Sequence, residues 1–207
     1  FLKKGDAVYV LNRNNHPQIQ GVHLIIADRN ELGNQLKGME VDAILDVNAY
    51  TKQDVEDLLD SGVTFQDYIM VSSSVVYPEH GPQPFAEDGQ LAENKFWGAY
   101  GTDKIEAEKA LCARVPQAYV LRPPYLYGPY NNVYREAFVF ECAKKNRPFY
   151  LPGKGELKLQ FFHVEDLCRL MDVILEQKPE HHIFNVGNED MISVRDWVTL
   201  CYAAAGK

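Results

Sequence analysis

The sequence has no apolar run that approaches the roughly 20 residues needed by a membrane-spanning helix, and no internal repeat or low-complexity segment. Basic residues are scarce relative to acidic ones: 21 Lys and Arg stand against 29 Asp and Glu, which gives a net charge of −8. This acidity argues against nucleic acid or an anionic membrane as the main partner. Four cysteines without CxxC spacing argue against a zinc site or a disulfide framework and favour a reducing cytoplasm; they are Cys112, Cys142, Cys168 and Cys201.

The sequence also lacks an initiator methionine and a signal peptide with a basic start and an apolar middle. Residues 1–6 have the pattern of a helix end, with two lysines before Gly5. Residues 203–207 stop where a helix should be capped. We therefore expect a piece of a longer protein, with more chain at both ends.

Apolar segments of strand length alternate with helix-period segments along most of the 207 residues. The strand interiors are continuously apolar, as in strands that are buried on both faces. The predicted strands are residues 7–12, 22–28, 42–47, 67–73, 118–122 and 182–186. Two Ser/Thr-x-x-Asp boxes, Thr51 with Asp54 and Ser193 with Asp196, predict helix starts. This alternation predicts an α/β fold with a doubly wound parallel sheet.

A phenol and an ammonium, Tyr100 and Lys104, are four residues apart and therefore lie on one face of a predicted helix. A tyrosine, whose ordinary pKa is near ~10, is a poor base at neutral pH, but a cation beside it favours the phenolate and lowers that pKa. Three hydroxyls, Ser72, Ser73 and Ser74, lie where a predicted strand ends, and a nearby serine can orient a substrate alcohol or carbonyl. Ser, Tyr and Lys in this order indicate hydride chemistry on a carbinol.

Five segments together carry a family resemblance: residues 72–77 (SSSVVY), 100–104 (YGTDK), 121–129 (LRPPYLYGP), 161–166 (FFHVED) and 184–188 (FNVGN). A lone Tyr-x-x-x-Lys is a weak signal, whereas five segments in order are specific. The chain resembles the extended short-chain dehydrogenase/reductase family, the NAD(P)-dependent sugar epimerases and dehydratases. The resemblance implies a Rossmann-like sheet whose first strand and glycine-rich phosphate loop are missing here, and NAD or NADP as cofactor.

The character of the sequence changes near residue 131, where predicted helices at 133–145 and 164–177 flank a loop at 147–158. These segments would pack over the carboxyl edge of the sheet, where ligands bind in open α/β folds. With the resemblance, we expect an incomplete dinucleotide-binding domain over residues 1–130. Residues 131–207 are then mainly a small substrate lobe, from which segment 182–187 returns to the sheet.

The resemblance assigns three catalytic residues. Tyr100 is the acid/base, Lys104 is its electrostatic partner and a contact of the nicotinamide ribose, and Ser73 is the catalytic hydroxyl. Ser72 and Ser74 are close alternatives to Ser73. In the simpler interpretation these serines only satisfy backbone groups at the strand end, which suits Ser72 and Ser74 best.

The resemblance places cofactor contacts after several strands. Asp28 and Arg29 match the adenine-edge position, although an aspartate there also suits a helix start. Asn12 and Arg13 stand where an NAD enzyme usually has an acidic residue, and Arg13 could pair with a 2′-phosphate, which favours NADP over NAD. The remaining expected contacts are Val47, Asn48, Ala49, Pro123 and Tyr125.

Substrate contacts are expected mostly beyond the predicted dinucleotide domain. They are Ser74, Asn131, Tyr134, Arg135 and Lys158, although helix-surface polarity explains Asn131, Tyr134 and Arg135 equally well. His163 and Asp166 belong to a helix start in the family pattern, so we interpret them as capping residues. His181 and His182 point to opposite faces of a strand, and we predict no metal site.

Two departures from the family pattern affect these expectations. Asp103 replaces the usual Ser or Thr and could pair with Lys104, which would weaken the pull of that cation on Tyr100. Leu159 and Gln160 stand in place of an Arg-Asp pair whose arginine grips a substrate diphosphate, and Lys158 beside them offers only a point charge. The expectation that the substrate carries a nucleotide diphosphate is therefore weaker for this chain than for a typical member of the family.

The function expected is an NAD(P)-dependent oxidoreductase, isomerase or lyase that acts on a sugar or nucleotide sugar. The alternative is a dinucleotide-sensing or scaffold protein of the same fold without turnover. A nucleic-acid binder on a related fold would need a basic face, for which this acidic chain has little material. The expected partner is a small-molecule sugar, with neither nucleic acid nor membrane, and a homodimer stays open.

Overall fold

A computed structural model of the chain describes residues 1–131 and 133–207. In that part, helices alternate with mainly parallel strands. The strands are β1 (Tyr9–Asn12), β2 (His23–Ile26), β3 (Glu40–Asp46), β4 (Thr64–Val71), β5 (Tyr119–Arg122), β6 (Tyr125–Tyr127), β7 (Lys158–Leu159), β8 (Phe161–His163), β9 (Ile183–Asn185) and β10 (Ile192–Ser193). The helices are α1 (Lys52–Asp60), α2 (Ala99–Arg114), α3 (Glu136–Lys144), α4 (Val164–Gln177) and α5 (Val194–Ala204). None of the helices in this part of the chain has the length and apolarity that a membrane crossing requires.

Pairing between strands is mostly parallel, which confirms the predicted α/β class. β1 pairs with β2, β3 with β4, and β6 with β8, all in parallel register, whereas β7 and β10 are antiparallel. β4 is also hydrogen-bonded to β5, and β5 to β9, while β1 and β2 form a pair of their own. All six predicted strands are present, with ends that differ by at most three residues.

The first compact unit comprises Phe1–Pro82 and Gly89–Val120. Its core includes the second half of β4, where Tyr68, Ile69 and Met70 have no exposed surface. α1 begins at the predicted capping box: Thr51 accepts from the backbone of Asp54, whose carboxylate in turn accepts from the backbone N–H of Thr51. In this unit α1 follows the end of β3, and a short turn follows the end of β4.

The second compact unit comprises Gln83–Asp88 and Leu121–Lys207. Its core forms where Val139 of α3 packs with three buried side chains of α5, Val194, Val198 and Cys201. α5 begins as predicted at Ser193, whose hydroxyl accepts from the N–H of Asp196 at 3.0 Å.

In this second unit the predicted start of α4 is confirmed and the predicted start of α3 is wrong. α4 begins after His163, whose imidazole accepts from the N–H of Glu165, as the capping interpretation predicts. α3 begins at Glu136 rather than at residue 133. Residues 133–135 are bends instead, and the N–H of Val133 donates to the Asn131 side chain at 3.0 Å.

Candidate active site

Three serines follow the end of β4, and the third of them begins a short 3-10 turn, Ser74–Val76. Ser73 is the N-cap of that turn, and its hydroxyl accepts from the N–H of Val75 at 3.4 Å. The Ser72 hydroxyl points into the core, where it donates to the buried carboxylate of Glu108 in α2. Ser74 is half-buried as the first residue of the turn. The turn therefore leaves Ser73, rather than Ser72, available for chemistry.

α2 approaches this turn closely at its first residues. Gly101 faces the carbonyl of Val75, and a methyl group in its place would lie 3.0 Å from that oxygen. Such an approach is open only to glycine without some displacement of the helix. Tyr100, the residue before Gly101, lies near enough to Ser73 for hydrogen bonding with it to lower the pKa of the phenol.

The electrostatics of Tyr100 differ from the sequence expectation. Burial raises the pKa of Tyr100 above its ordinary value, hydrogen bonding with Ser73 lowers it, and the nearby Tyr50 phenol raises it. The predicted lowering by Lys104 is absent from these influences. The spacing of four residues places both side chains on one side of α2, but it does not fix where the long lysine side chain ends.

Lys104 runs inward instead and is only 2% exposed. Its ammonium donates to the carbonyl of Ala49 at 2.7 Å and to the carbonyl of Val71 at 3.0 Å, and it lies 4.9 Å from the centre of the Tyr50 ring. Burial lowers the pKa of Lys104 to about 8, against the opposing charges of Asp46, Glu108 and Asp54. In the described part of the chain, no hydrogen bond or ion pair joins Lys104 to Asp103, so the pairing that we considered is not formed.

Arg29 anchors the turn that follows β3. Its guanidinium makes two 2.8 Å hydrogen bonds to the carboxylate of Asp46, and it also donates to the side chain of Asn48 and to the backbone carbonyl of Asp54. Tyr68 donates to the same Asp46 carboxylate at 2.6 Å. Burial opposes ionisation of Asp46, but the hydrogen bonds and charge of Arg29 outweigh it and hold the pKa of Asp46 below its ordinary value. Arg29 was predicted as a cofactor contact, but most of its guanidinium N–H groups are used in hydrogen bonds within the protein.

An open cleft of about 450 Å³ brings together five of the residues predicted to bind the cofactor. The five are Asn12, Arg13, Asp28, Arg29 and Asn48. Arg13 is largely exposed and lies 3.6 Å from Asp28, whose other oxygen accepts from the N–H of Asn30 as an N-cap. Asp28 is therefore a capping residue that also lines the cleft, and its contact with an adenine edge stays a prediction. Val47 is exposed after β3, whereas Ala49 is fully buried and contributes its carbonyl.

The other predicted contacts belong to the second unit. Arg135 is tied down by a hydrogen bond to the carbonyl of Leu126 and by an ion pair with Glu136, and its guanidinium lies 5.1 Å from the ring of Tyr125. The Asn131 amide donates to Glu136 at 3.0 Å. The rest are Pro123, which is buried after β5, and Tyr134 and Lys158, which are exposed. Nowhere in residues 1–131 and 133–207 do three His, Cys, Asp or Glu side chains converge as metal ligands would.

Sequence reasoning missed four residues that surround the candidate catalytic groups. Asp46 and Glu108 are buried carboxylates that favour the charged form of Lys104, and Tyr50 and Trp97 place aromatic rings near Tyr100. Glu108 had a readable signal, because it lies one helical turn beyond Lys104. Trp97 also had one, because it lies three residues before Tyr100 in the sequence. Tyr50 had none, because its approach to Tyr100 is a tertiary contact.

Comparisons with known proteins identify relatives of the chain by sequence and by structure. The chain is 28% identical over 167 residues to the chloroplast stem-loop binding protein of 41 kDa b from Arabidopsis thaliana, a match that covers 80% of this chain and 43% of that protein. It is 29% identical over 147 residues to a protein of Oryza sativa subsp. japonica named GDP-L-fucose synthase 2, covering 62% and 42% of the two. The chain thus spans less than half the length of the curated relatives that it matches.

Structural similarity extends over the whole chain. The UDP-N-acetylglucosamine 4-epimerase of Bacillus cereus superposes with a TM-score of 0.77 at 18% identity, covering 99% of this chain and 77% of that one. This likeness establishes the Rossmann-type fold. The family described as "NAD dependent epimerase/dehydratase family" matches residues 1–187. The chain belongs to the NAD dependent epimerase/dehydratase family.

Proposed function

We propose that this chain carries the catalytic groups of an NAD(P)-dependent epimerase or dehydratase that acts on a nucleotide sugar. The observation that carries the proposal is the close approach of α2 to the turn after β4, which sets Tyr100 near enough to Ser73 for hydrogen bonding to lower its pKa. Both residues belong to the same unit as the cleft lined by the predicted dinucleotide contacts. The names of two similar proteins, a GDP-L-fucose synthase and a UDP-N-acetylglucosamine 4-epimerase, support a nucleotide sugar as the substrate class. Residues 131–207 are assigned the substrate side.

The cleft has a donor set that fits a dinucleotide. Arg13 offers an exposed guanidinium to a phosphate, and the side chains of Asn12, Asp28 and Asn48 offer polar groups to ribose hydroxyls and an adenine edge. The Arg13–Asp28 ion pair at 3.6 Å is open to solvent and therefore weak, so Arg13 can turn to a 2′-phosphate at little cost. This favours NADP. When bound, the nicotinamide supplies and takes up hydride.

Tyr100 exchanges the proton. Its raised pKa keeps the phenol protonated at neutral pH, so in this state Tyr100 can donate a proton to a carbonyl oxygen. Removal of a proton from a sugar hydroxyl requires the phenolate, which the Ser73 hydroxyl stabilises. The ammonium of Lys104 adds to that stabilisation when it turns from the Ala49 carbonyl towards the phenol. Ser73 also orients the substrate oxygen.

The test is turnover by Tyr100→Phe. Nucleotide sugars such as UDP-glucose and dTDP-glucose are incubated with NAD or NADP, and products are separated by chromatography and mass spectrometry. We expect turnover to fall by a factor of about 10³, because general acid–base catalysis contributes roughly 10²–10⁴. Dinucleotide binding, measured by calorimetry, should persist. The matched control is Tyr9→Phe, a half-exposed tyrosine in β1 that stacks on His23 and should turn over normally.

A second candidate function is favoured by the stem-loop binding protein of Arabidopsis thaliana, whose name indicates a nucleic-acid ligand. In that case the fold is retained as a dinucleotide-sensing or binding scaffold without turnover. Turnover that Tyr100→Phe leaves unchanged would remove the enzymatic proposal. Salt-dependent binding of a hairpin that Tyr100→Phe does not affect would support the second candidate.

A further inference from the structure

An exposed tryptophan lies one helical turn before the proposed acid/base. Trp97 is 43% exposed, and its ring centre is 6.0 Å from that of Tyr100, with the planes tilted by 58°. The broad apolar face of an indole that is exposed beside a reactive group offers a surface on which another ring can stack. Trp97 is not explained by the dinucleotide cleft or by the Ser-Tyr-Lys pattern.

The backbone that carries Trp97 is held in place by the buried Asn94. The Asn94 carbonyl accepts from the N–H groups of Trp97 and Gly98 at 3.0 and 2.9 Å, and its side-chain oxygen accepts from the N–H of Phe96 at 3.1 Å. Its side-chain amide donates to the carbonyl of Tyr77 at 3.1 Å. Four hydrogen bonds to one residue that is 8% exposed fix the turn, so the backbone that carries the indole is preorganised.

Two aromatic rings neighbour Tyr100, and they belong to different surroundings. Tyr50, at 6.1 Å, lines the cleft with the predicted dinucleotide contacts and lies beside the Lys104 ammonium. Trp97 is not among the described residues that line that cleft. A substrate whose hydroxyl reaches the Tyr100 phenol must lie against that phenol, and Trp97 is the neighbour that the cofactor cleft does not use.

We propose that Trp97 is a stacking platform for the sugar ring of the substrate. One face of a pyranose presents C–H bonds with partial positive charge, and the indole face carries the negative side of its quadrupole. Stacking of this kind needs no particular hydroxyl pattern, so the platform holds the ring while Tyr100 and Ser73 select the reacting oxygen. This inference rests on the proposed function and names the part of the site that receives the sugar.

Fluorescence isolates the platform, because the chain has only two tryptophans. In the intact protein carrying Trp197→Phe, emission comes from Trp97 alone. We expect UDP-glucose or dTDP-glucose to change that emission, and UDP, which lacks the sugar, to change it much less. A response to UDP equal to that of UDP-glucose would overturn the proposal.

Substitution gives the second readout. Trp97→Ala should weaken nucleotide-sugar binding roughly three- to tenfold, the range for one aromatic stacking contact, and should leave NAD and NADP binding unchanged. Trp97→Phe should restore most of the loss. Phe96→Ala is the matched control, because Phe96 is 74% exposed and its ring faces Lys95 at 5.0 Å.

The outcomes separate the platform from the proposed function. Weaker dinucleotide binding by Trp97→Ala, or unaltered nucleotide-sugar binding, overturns the platform while the proposed function stands. If the unsubstituted protein binds none of these nucleotide sugars, the proposed function fails first, and the platform falls with it.

Discussion

Lys104 carries an ammonium into a site where only 2% of the residue is exposed, and its partners are two backbone carbonyls rather than carboxylates. The folded state therefore holds the charged form less well than water does, which agrees with a pKa lowered to about 8 from 10.5. Because the unfolded chain binds this proton more tightly, the unfolded state holds more protons between pH 8 and 10.5. Stability must rise with pH in that window.

We expect the free energy of unfolding to gain about 3 kcal/mol from this residue between pH 8 and 10.5, since one pKa unit corresponds to about 1.4 kcal/mol. Below pH 8 both states are protonated, so the contribution is constant. Urea unfolding at several pH values, with Lys104→Met as the comparison, measures it as a growing difference between the two proteins. Lys109→Met, at an exposed position on the same helix that pairs with Glu106, should parallel the unsubstituted protein. Parallel curves for Lys104→Met would contradict the buried charge.

The residue scale also marks the limit of sequence reasoning. Tyr100, Ser73 and the cap at Thr51 could be predicted, because each depends on local spacing or on a motif. The inward direction of the Lys104 side chain could not, because its two acceptor carbonyls, those of Val71 and Ala49, are 33 and 55 residues away in the chain. Arg29 is a similar case: the family resemblance indicated its position after β2, but its two hydrogen bonds to the Asp46 carboxylate depend on how β3 packs.

At the scale of elements, the site depends on how closely α2 approaches the turn after β4. The contact is made at Gly101, directly after Tyr100, so helix position and the Tyr100–Ser73 pair are linked. Alternation of strands and helices was readable because it follows from hydrophobic periodicity. The distance between α2 and the turn after β4 could not be predicted, because no local sequence pattern encodes it. Gly101, a glycine within a helix, was the one local sign of a close approach.

Gly101→Ala tests this link. Alanine favours the helix by up to about 1 kcal/mol, which offsets the close contact with the Val75 carbonyl, so we expect little change in the melting temperature. A shift of α2 by a few tenths of an ångström should nevertheless lower kcat about tenfold, because reacting groups lose alignment steeply with displacement. Asp103→Ala, at an exposed position of α2, is the control and should retain activity. Unchanged kcat in Gly101→Ala would mean that the approach of α2 does not position Tyr100.

On the scale of the whole molecule, the chain divides into two compact units, and the predicted dinucleotide contacts that share a cleft belong to the first one. Arg13 places an exposed cation on that cleft, in a chain whose net charge is −8. The fold class followed from the sequence because it sums many weak local signals. The division into units did not, because residues 83–88 join the second unit while the chain on both sides of them joins the first.

Hydrogen exchange of the intact protein can locate the dinucleotide on this framework. A ligand that binds only the folded state stabilises it by about 2.7 kcal/mol at 100 times its Kd. The exchange rate of the backbone amides should fall most where the ligand contacts the chain. With saturating NADP, we expect slower exchange in residues 11–18, 27–30 and 48–54, which include the residues that line the cleft. α4 contributes no described residue to that lining and should exchange as before.

Arg13→Ala should reduce the effect of NADP on exchange more than that of NAD, since only NADP carries a 2′-phosphate for the guanidinium. Equal losses for both dinucleotides would assign Arg13 to a feature they share, and slower exchange confined to other segments would exclude this cleft as the dinucleotide site.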